Sequence, residues 1–143
     1  MRRFTGPTIF LTCAVGITTP LLAQGAYLDD RSSAETLVRS LYNAIDRKEY
    51  ARAWDYFGEQ KPARDFAAFV KGYEQTQSVA VETGPASEEG AAGSIFYQVP
   101  VAISATNADG STSTFAGCYT ARLAQPASQE PPFNPLRIEK GEL

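Results

Sequence analysis

Hydrophobic side chains recur along this chain in three patterns: an apolar stretch before residue 25, helical spacing between about 34 and 73, and alternation from Ser78 onward. Leu37, Leu41 and Ile45, flanked by Val38 and Tyr42, predict an amphipathic helix through "AETLVRSLYNAIDRKE". Ser32 and Glu35 in "SSAE" have the spacing of a capping box at its start. In "YARAWDYFG", Tyr50, Ala53, Trp54 and Phe57 fall at i, i+3, i+4 and i+7, which predicts a short second helix. Gly58 is then expected to supply a left-handed terminating residue. After Pro62, "ARDFAAFVKGYEQT" repeats the spacing with Phe66, Phe69, Val70 and Tyr73, predicting a third helix.

Alternation begins in "SVAVETG", with Val79 and Val81 on one face. "PASEEGAAG" reads as a polar, Gly-rich connection, "NADG" at 107–110 as a hairpin turn into "STSTFAGCYTARL", and "QPASQEPPFNP" as a Pro-rich loop before a last strand in "LRIEKGEL". The longest strand, "SIFYQVPVAISA", carries Ile95, Tyr97, Val99, Val101 and Ile103 on one row. Phe96, Gln98, Pro100, Ala102 and Ser104 form the other. The first row is assigned to the interior. The second is too mixed for a fully solvated face, so a second sheet, a partner chain or a partly open surface is expected there. Pro100 cannot donate to a ladder and is expected at an edge or a bulge. The fold class is therefore α+β, three helices followed by about four strands.

The start of the chain, "MRRFTGPTIFLTCAVGITTPLLAQG", has the layout of an export signal: Arg2 and Arg3, an apolar stretch, then small residues near Ala23 and Gly25. The apolar stretch is interrupted by Pro7, Pro20 and threonines and falls short of the ~20 residues of a spanning helix. Residues 1–23 are read as a signal peptide, 24–31 as a short tail and 32–143 as one domain. That layout implies export, in a bacterium to the periplasm, with no stable membrane span after cleavage. Thr12 before Cys13 makes "FLTC" a poor lipidation signal. The whole chain carries a net charge of −3, and loss of Arg2 and Arg3 makes the remainder more acidic. No segment supplies the basic footprint that nucleic acid needs. Cys118 would be left as the lone thiol, unable to form an internal disulfide and read as a small buried hydrophobe.

The run "YNAIDRKEYARAWDYF", the "GY" of Gly72 and Tyr73, "VPV" at Val99 to Val101 and "FAGCY" at Phe115 to Tyr119 resemble the nuclear transport factor 2-like (NTF2-like, SnoaL and ketosteroid isomerase-like) superfamily over about Ser32 to Ile138. Many relatives carry an aromatic before the basic residue of the last strand, where this chain has Leu136 before Arg137. The resemblance implies a cone, with a strongly curved, mostly antiparallel sheet wrapped on the helices and a pocket between its concave face and the first and third helices. It also implies homodimers formed through the sheet, and isomerase-, dehydratase- or cyclase-like members that use a buried carboxylate or His with a Tyr donor.

This chain has no His, so the commonest acid–base group is missing. Glu82 alternates away from Val79 and Val81, and Glu139 and Glu142 lie in the last charged strand. Asp46, Asp55 and Asp65 neighbour Arg47, Arg52 and Arg64 as in solvated faces, and Asp109 belongs to a turn. One Cys without His makes no zinc site, and no phosphate-cradling loop occurs. No catalytic residue, metal or cofactor is expected. Tyr42, Trp54, Phe69, Tyr73, Tyr97 and Tyr119 are the candidates to line the implied pocket, although aromatic residues at these spacings also serve as plain core. The leading expectation is a non-catalytic domain binding a small apolar ligand or a protein partner. The alternatives are an isomerase- or dehydratase-like enzyme using a Tyr and a carboxylate, and a homodimerisation module.

Overall fold

A computed structural model describes residues Gly25 to Leu143, so the expected signal peptide lies outside the described residues. Helices α1 (Ala34–Asp46), α2 (Tyr50–Asp55) and α3 (Phe66–Gly72) precede strands β1 (Thr76–Thr83), β2 (Ser87–Ala91), β3 (Ser94–Asn107), β4 (Thr112–Ala124) and β5 (Arg137–Glu142). The strands form one curved, unclosed antiparallel sheet in the order β1-β3-β4-β5, with β2 also paired to β3. Five strands, not four, result. "PASEEGAAG" contains β2, because Ser87 to Ala91 pair in register with Gln98 back to Ser94, and Ala92 and Gly93 turn the hairpin at positive φ. All five β2 residues are exposed, so no apolar alternation could mark them.

Helix α1 buries Leu37, Val38, Leu41, Tyr42, Ala44 and Ile45 against the sheet. Its cap is Ser33 with Thr36, not Ser32 with Glu35. The Ser33 hydroxyl accepts from the Thr36 amide and the Thr36 hydroxyl from the Ser33 amide. Glu35 is instead drawn off to the sheet, where its carboxylate accepts from the Ala86 amide at 2.9 Å. Helix α2 stops at Asp55, and Gly58 is not left-handed. Residues 56–58 extend along β5, with the Ile138 amide donating to the Tyr56 carbonyl at 2.9 Å and the Gly58 amide to the Ile138 carbonyl at 2.8 Å. Helix α3 begins three residues beyond Ala63, because the Asp65 carboxylate caps it by accepting from the Ala68 amide at 2.7 Å.

On β3, Val99, Val101, Ile103 and Ala105 are buried and alternate with exposed Gln98, Pro100, Ala102 and Ser104, so the Tyr97 row does face the helices. Pro100 marks neither the sheet's edge nor a bulge. Its carbonyl accepts from the Gly84 amide at 2.8 Å, so its imide nitrogen also faces the gap between β1 and β2, where no ladder acceptor is left wanting.

Residues 25–33 are more than a tail. Among them, the Leu28 amide donates to Asn43 Oδ1 at 3.0 Å and the Asp30 amide to the fully buried Ser40 hydroxyl at 2.8 Å. Arg47 and Arg52 donate to the Gly25 and Leu28 carbonyls. The segment is a strap sewn onto α1 and α2.

Candidate functional site

The cone opens beside α3, where β3 and β4 run past the helices. There Phe69, Tyr73, Val79, Ile103 and Phe115 surround an apolar hollow of about 380 Å³, with Tyr42 at its base. Among the described residues no charged side chain lines it. Phe115 belongs to the inward row of β4 yet is 46% exposed, because the helices do not reach this end of the sheet. A second lobe of about 380 Å³ lies alongside, lined by Gln60, Lys61, Tyr119, Glu139 and Lys140. Tyr73, Pro62 and Leu143 line both lobes, so the two are contiguous.

Two glycines shape the wall between them. A β-carbon on Gly141 would lie 2.6 Å from the Tyr119 ring, so its absence lets that ring rest flat across β5. A β-carbon on Gly117 would strike the Glu142 carbonyl, which passes over it. With its ring so placed, Tyr119 reaches the Tyr42 hydroxyl at 2.8 Å in a buried hydrogen bond, the rings meeting edge to face at 6.1 Å. The Tyr73 hydroxyl, by contrast, bonds to no described residue and stays open to the cavity it lines, since among the described residues no fully buried side-chain polar atom lacks a partner.

Burial pushes the pKa of Tyr42, Tyr73 and Tyr119 upward, and for Tyr42 and Tyr73 the neighbouring Tyr119 adds to the shift. At neutral pH all three are neutral phenols: they donate hydrogen bonds but cannot act as bases. The carboxylate that lines the second lobe, Glu139, stands 3.7 Å from Nη1 of Arg122, which does not line that lobe. Among the described residues no group of His, Cys, Asp and Glu side chains is placed to hold a metal ion, and no helix is long and apolar enough to cross a membrane.

Of the six aromatic candidates, Tyr42, Phe69, Tyr73 and Tyr119 come together at the two lobes. Trp54 backs them, with its ring 5.4 Å from Phe69 on the side away from the hollow's lining. Tyr97 lies elsewhere: with Ala34, Leu123 and Leu136 it lines a separate cavity of about 570 Å³ under the N-terminus of α1. It shares the inward row, but β3 is long enough that its two ends face different cavities. Sequence reasoning missed Lys61 and Phe115 at the mouth. Phe115 was legible as the inward partner of Ile103 once the hairpin register was known, whereas nothing local marks Lys61.

The chain matches no protein-family model and no curated protein sequence. Its fold, however, is NTF2-like. It is similar to a scytalone dehydratase-like protein of Novosphingobium aromaticivorans (TM-score 0.53, 8% identity, 75% of this chain and 77% of that one). It is likewise similar to an NTF2-like superfamily protein of Salmonella enterica (TM-score 0.52, 11% identity, 73% and 82%). A third likeness is to a protein assigned as the β subunit of an aromatic-ring-hydroxylating dioxygenase of N. aromaticivorans (TM-score 0.52, 12% identity, 78% and 85%).

Proposed function

We propose that the chain is an exported, non-catalytic NTF2-like domain that binds a small apolar ligand in the hollow between α3 and the sheet. The observation that carries this reading is the hollow's lining: among the described residues, mostly apolar side chains and aromatic rings, no charged side chain, and the hydroxyls of Tyr73 and Thr76. Its size falls at the small end of ligand cavities, and a few convergent donors on apolar walls are what orient a ligand without reacting with it. The leader-like first 23 residues support export, and in a bacterium the compartment would be the periplasm.

Native mass spectrometry of the protein purified from its host, together with displacement of an apolar fluorescent dye, tests this. A dye bound by the native chain and lost on Phe115→Glu substitution is the expected result. A protein that carries no small molecule and takes up no dye would remove the reading.

One observation favours an enzyme instead: Glu139 lines the lobe that Tyr73 and Tyr119 also line. Proton removal next to a ligand would need that carboxylate to turn from Arg122 into the cavity. Turnover of a carbonyl or hydroxy compound that Glu139→Gln abolishes would establish this alternative. A homodimer would use the exposed row of Pro100, Ala102 and Ser104. Sedimentation at micromolar concentration is the measurement, and a strict monomer counts against it.

A further inference from the structure

We infer that the ligand is an anionic amphiphile, its apolar body held in the hollow among Val79, Ile103 and Phe115 and its carboxylate head received in the second lobe by Lys61 and Tyr73. The inference rests on the ligand-binding reading above and names the ligand's class. Because both lobes share Tyr73, Pro62 and Leu143, one molecule can lie across them. The two lobes differ in chemistry. Among the described residues the hollow carries no charged side chain, whereas the second lobe is lined by Lys61, Lys140 and Glu139.

Those charges are not equivalent. Lys140 is paired with Glu142 at 3.0 Å, and Glu139 faces Arg122 at 3.7 Å. Lys61 makes no ion pair among the described residues, although its charge is one of those that help lower the Asp55 pKa. Its ammonium instead donates to the Phe57 carbonyl at 2.9 Å and the Trp54 carbonyl at 3.3 Å, and stands 5.5 Å from the centre of the Trp54 ring. Two carbonyls and a ring face fix the ammonium in place without cancelling its charge. One of its three N–H donors is left, and the Lys61 side chain lines the second lobe together with Tyr73, whose hydroxyl bonds to no described residue. A pre-positioned cation loses little side-chain freedom when an anion arrives, and charge-assisted hydrogen bonds are the stronger kind. A neutral apolar ligand would use the hollow and leave Lys61 idle; a carboxylate on a medium-length chain uses both lobes.

Decanoate and decanol, equal in chain length and different in head, separate the possibilities when titrated at neutral pH into the intact protein and its Lys61→Met variant. Met keeps most of the aliphatic stem and removes the charge. Decanoate is expected to bind about tenfold tighter than decanol, the effect of roughly one charge-assisted hydrogen bond. In Lys61→Met the two should bind within about twofold of each other, with decanol affinity unchanged as the sign that the fold is intact. Equal binding to the native protein, or a preference that survives Lys61→Met, overturns the head-group assignment and leaves the apolar-ligand reading standing. Dye binding without either probe has the same outcome. Failure of dye and both probes overturns both.

Discussion

The two sides of the helical layer are finished in opposite ways. On the strap side almost every polar group is committed: Arg52 alone donates to Glu49, the Leu28 carbonyl, the Tyr56 hydroxyl and Asn43, and lies 4.5 Å from the Tyr27 ring centre. The β1 edge beside it is sealed in the same manner, with the Asp46 carboxylate on the Val79 amide, Lys48 on the Thr76 carbonyl and Glu35 on the Ala86 amide. An open strand edge invites pairing with another chain, and here Asp46 and Lys48 occupy two of the backbone groups of β1. On the hollow side, rings stand open to solvent and hydroxyls are either paired with each other or left uncommitted. Polar saturation holds the fold shut where it is not needed, and its absence marks where something else can enter.

The strongest way to break this contrast is to remove the strap's anchor. Arg52→Ala leaves the Asn43 and Glu49 acceptors and the Tyr56 hydroxyl short of a partner, with an expected loss of about 3 kcal/mol of stability. Urea denaturation reads it; a loss under about 1 kcal/mol would mean the strap is decoration. Next is the buried tyrosine pair. Tyr42→Phe strands the Tyr119 hydroxyl and should cost about 1–2 kcal/mol, as should Tyr119→Phe. The double variant should cost clearly less than their sum, because no hydroxyl is then left unpaired. Strict additivity would show that the 2.8 Å contact contributes nothing.

How much of this was legible follows the range of the interactions. The helices, the long hairpin and the inward row of β3 are written in local periodicity, and they came through with shifts of a few residues at their ends. Helix ends moved where a distant partner competed for the cap, as the Ala86 amide does for Glu35. The strap was invisible because its partners lie 10 to 27 positions away and its own sequence, "GAYLDDR", has no period. Strand β2 was invisible because both of its faces are solvated. In the site, aromatic spacing found four of the side chains around the lobes, but Tyr97 shares their row and not their place. Lys61 gains its meaning only from the Trp54 carbonyl of α2 and the Phe57 carbonyl just beyond it.

The two sides should also answer differently to pH. Asp30, Glu35, Glu49 and Asp55 all have lowered pKa values, chiefly through hydrogen bonds from Ser32, the Ala86 amide, Arg47 and Arg31 respectively. A carboxyl with a depressed folded-state pKa binds protons more readily unfolded. Its contribution is present above the ordinary values of 3.8 and 4.5 and is lost as pH falls below them. The tyrosines have the reverse sign. Burial raises Tyr42, Tyr73 and Tyr119, so their contribution holds below the ordinary value of 10.0 and fades as pH rises beyond it. Tyr56 on the strap side is pushed up to about 12 in the same direction, mainly by burial. Urea midpoints should therefore fall at both extremes. Asp55→Asn should blunt the acid limb, and the Tyr42→Phe/Tyr119→Phe double variant the alkaline one. A double variant as alkali-sensitive as the native chain would break the link.

The smallest effect on stability is the sharpest test of the contrast. Tyr73→Phe removes a hydroxyl that bonds to no described residue while keeping the ring, which packs 5.3 Å from Phe69 and stacks 6.0 Å from Tyr50. With no partner to strand, its unfolding free energy should stay within about 0.5 kcal/mol of native. The same change should weaken decanoate binding several-fold, since the donor is lost only when a ligand acceptor is there to meet it. Because Tyr42→Phe costs stability and Tyr73→Phe should not, two identical substitutions in one pocket separate a hydroxyl that holds the cone together from one that is kept for a guest. If Tyr73→Phe destabilises as much as Tyr42→Phe, the hydroxyl has a structural partner after all and is not kept for a guest.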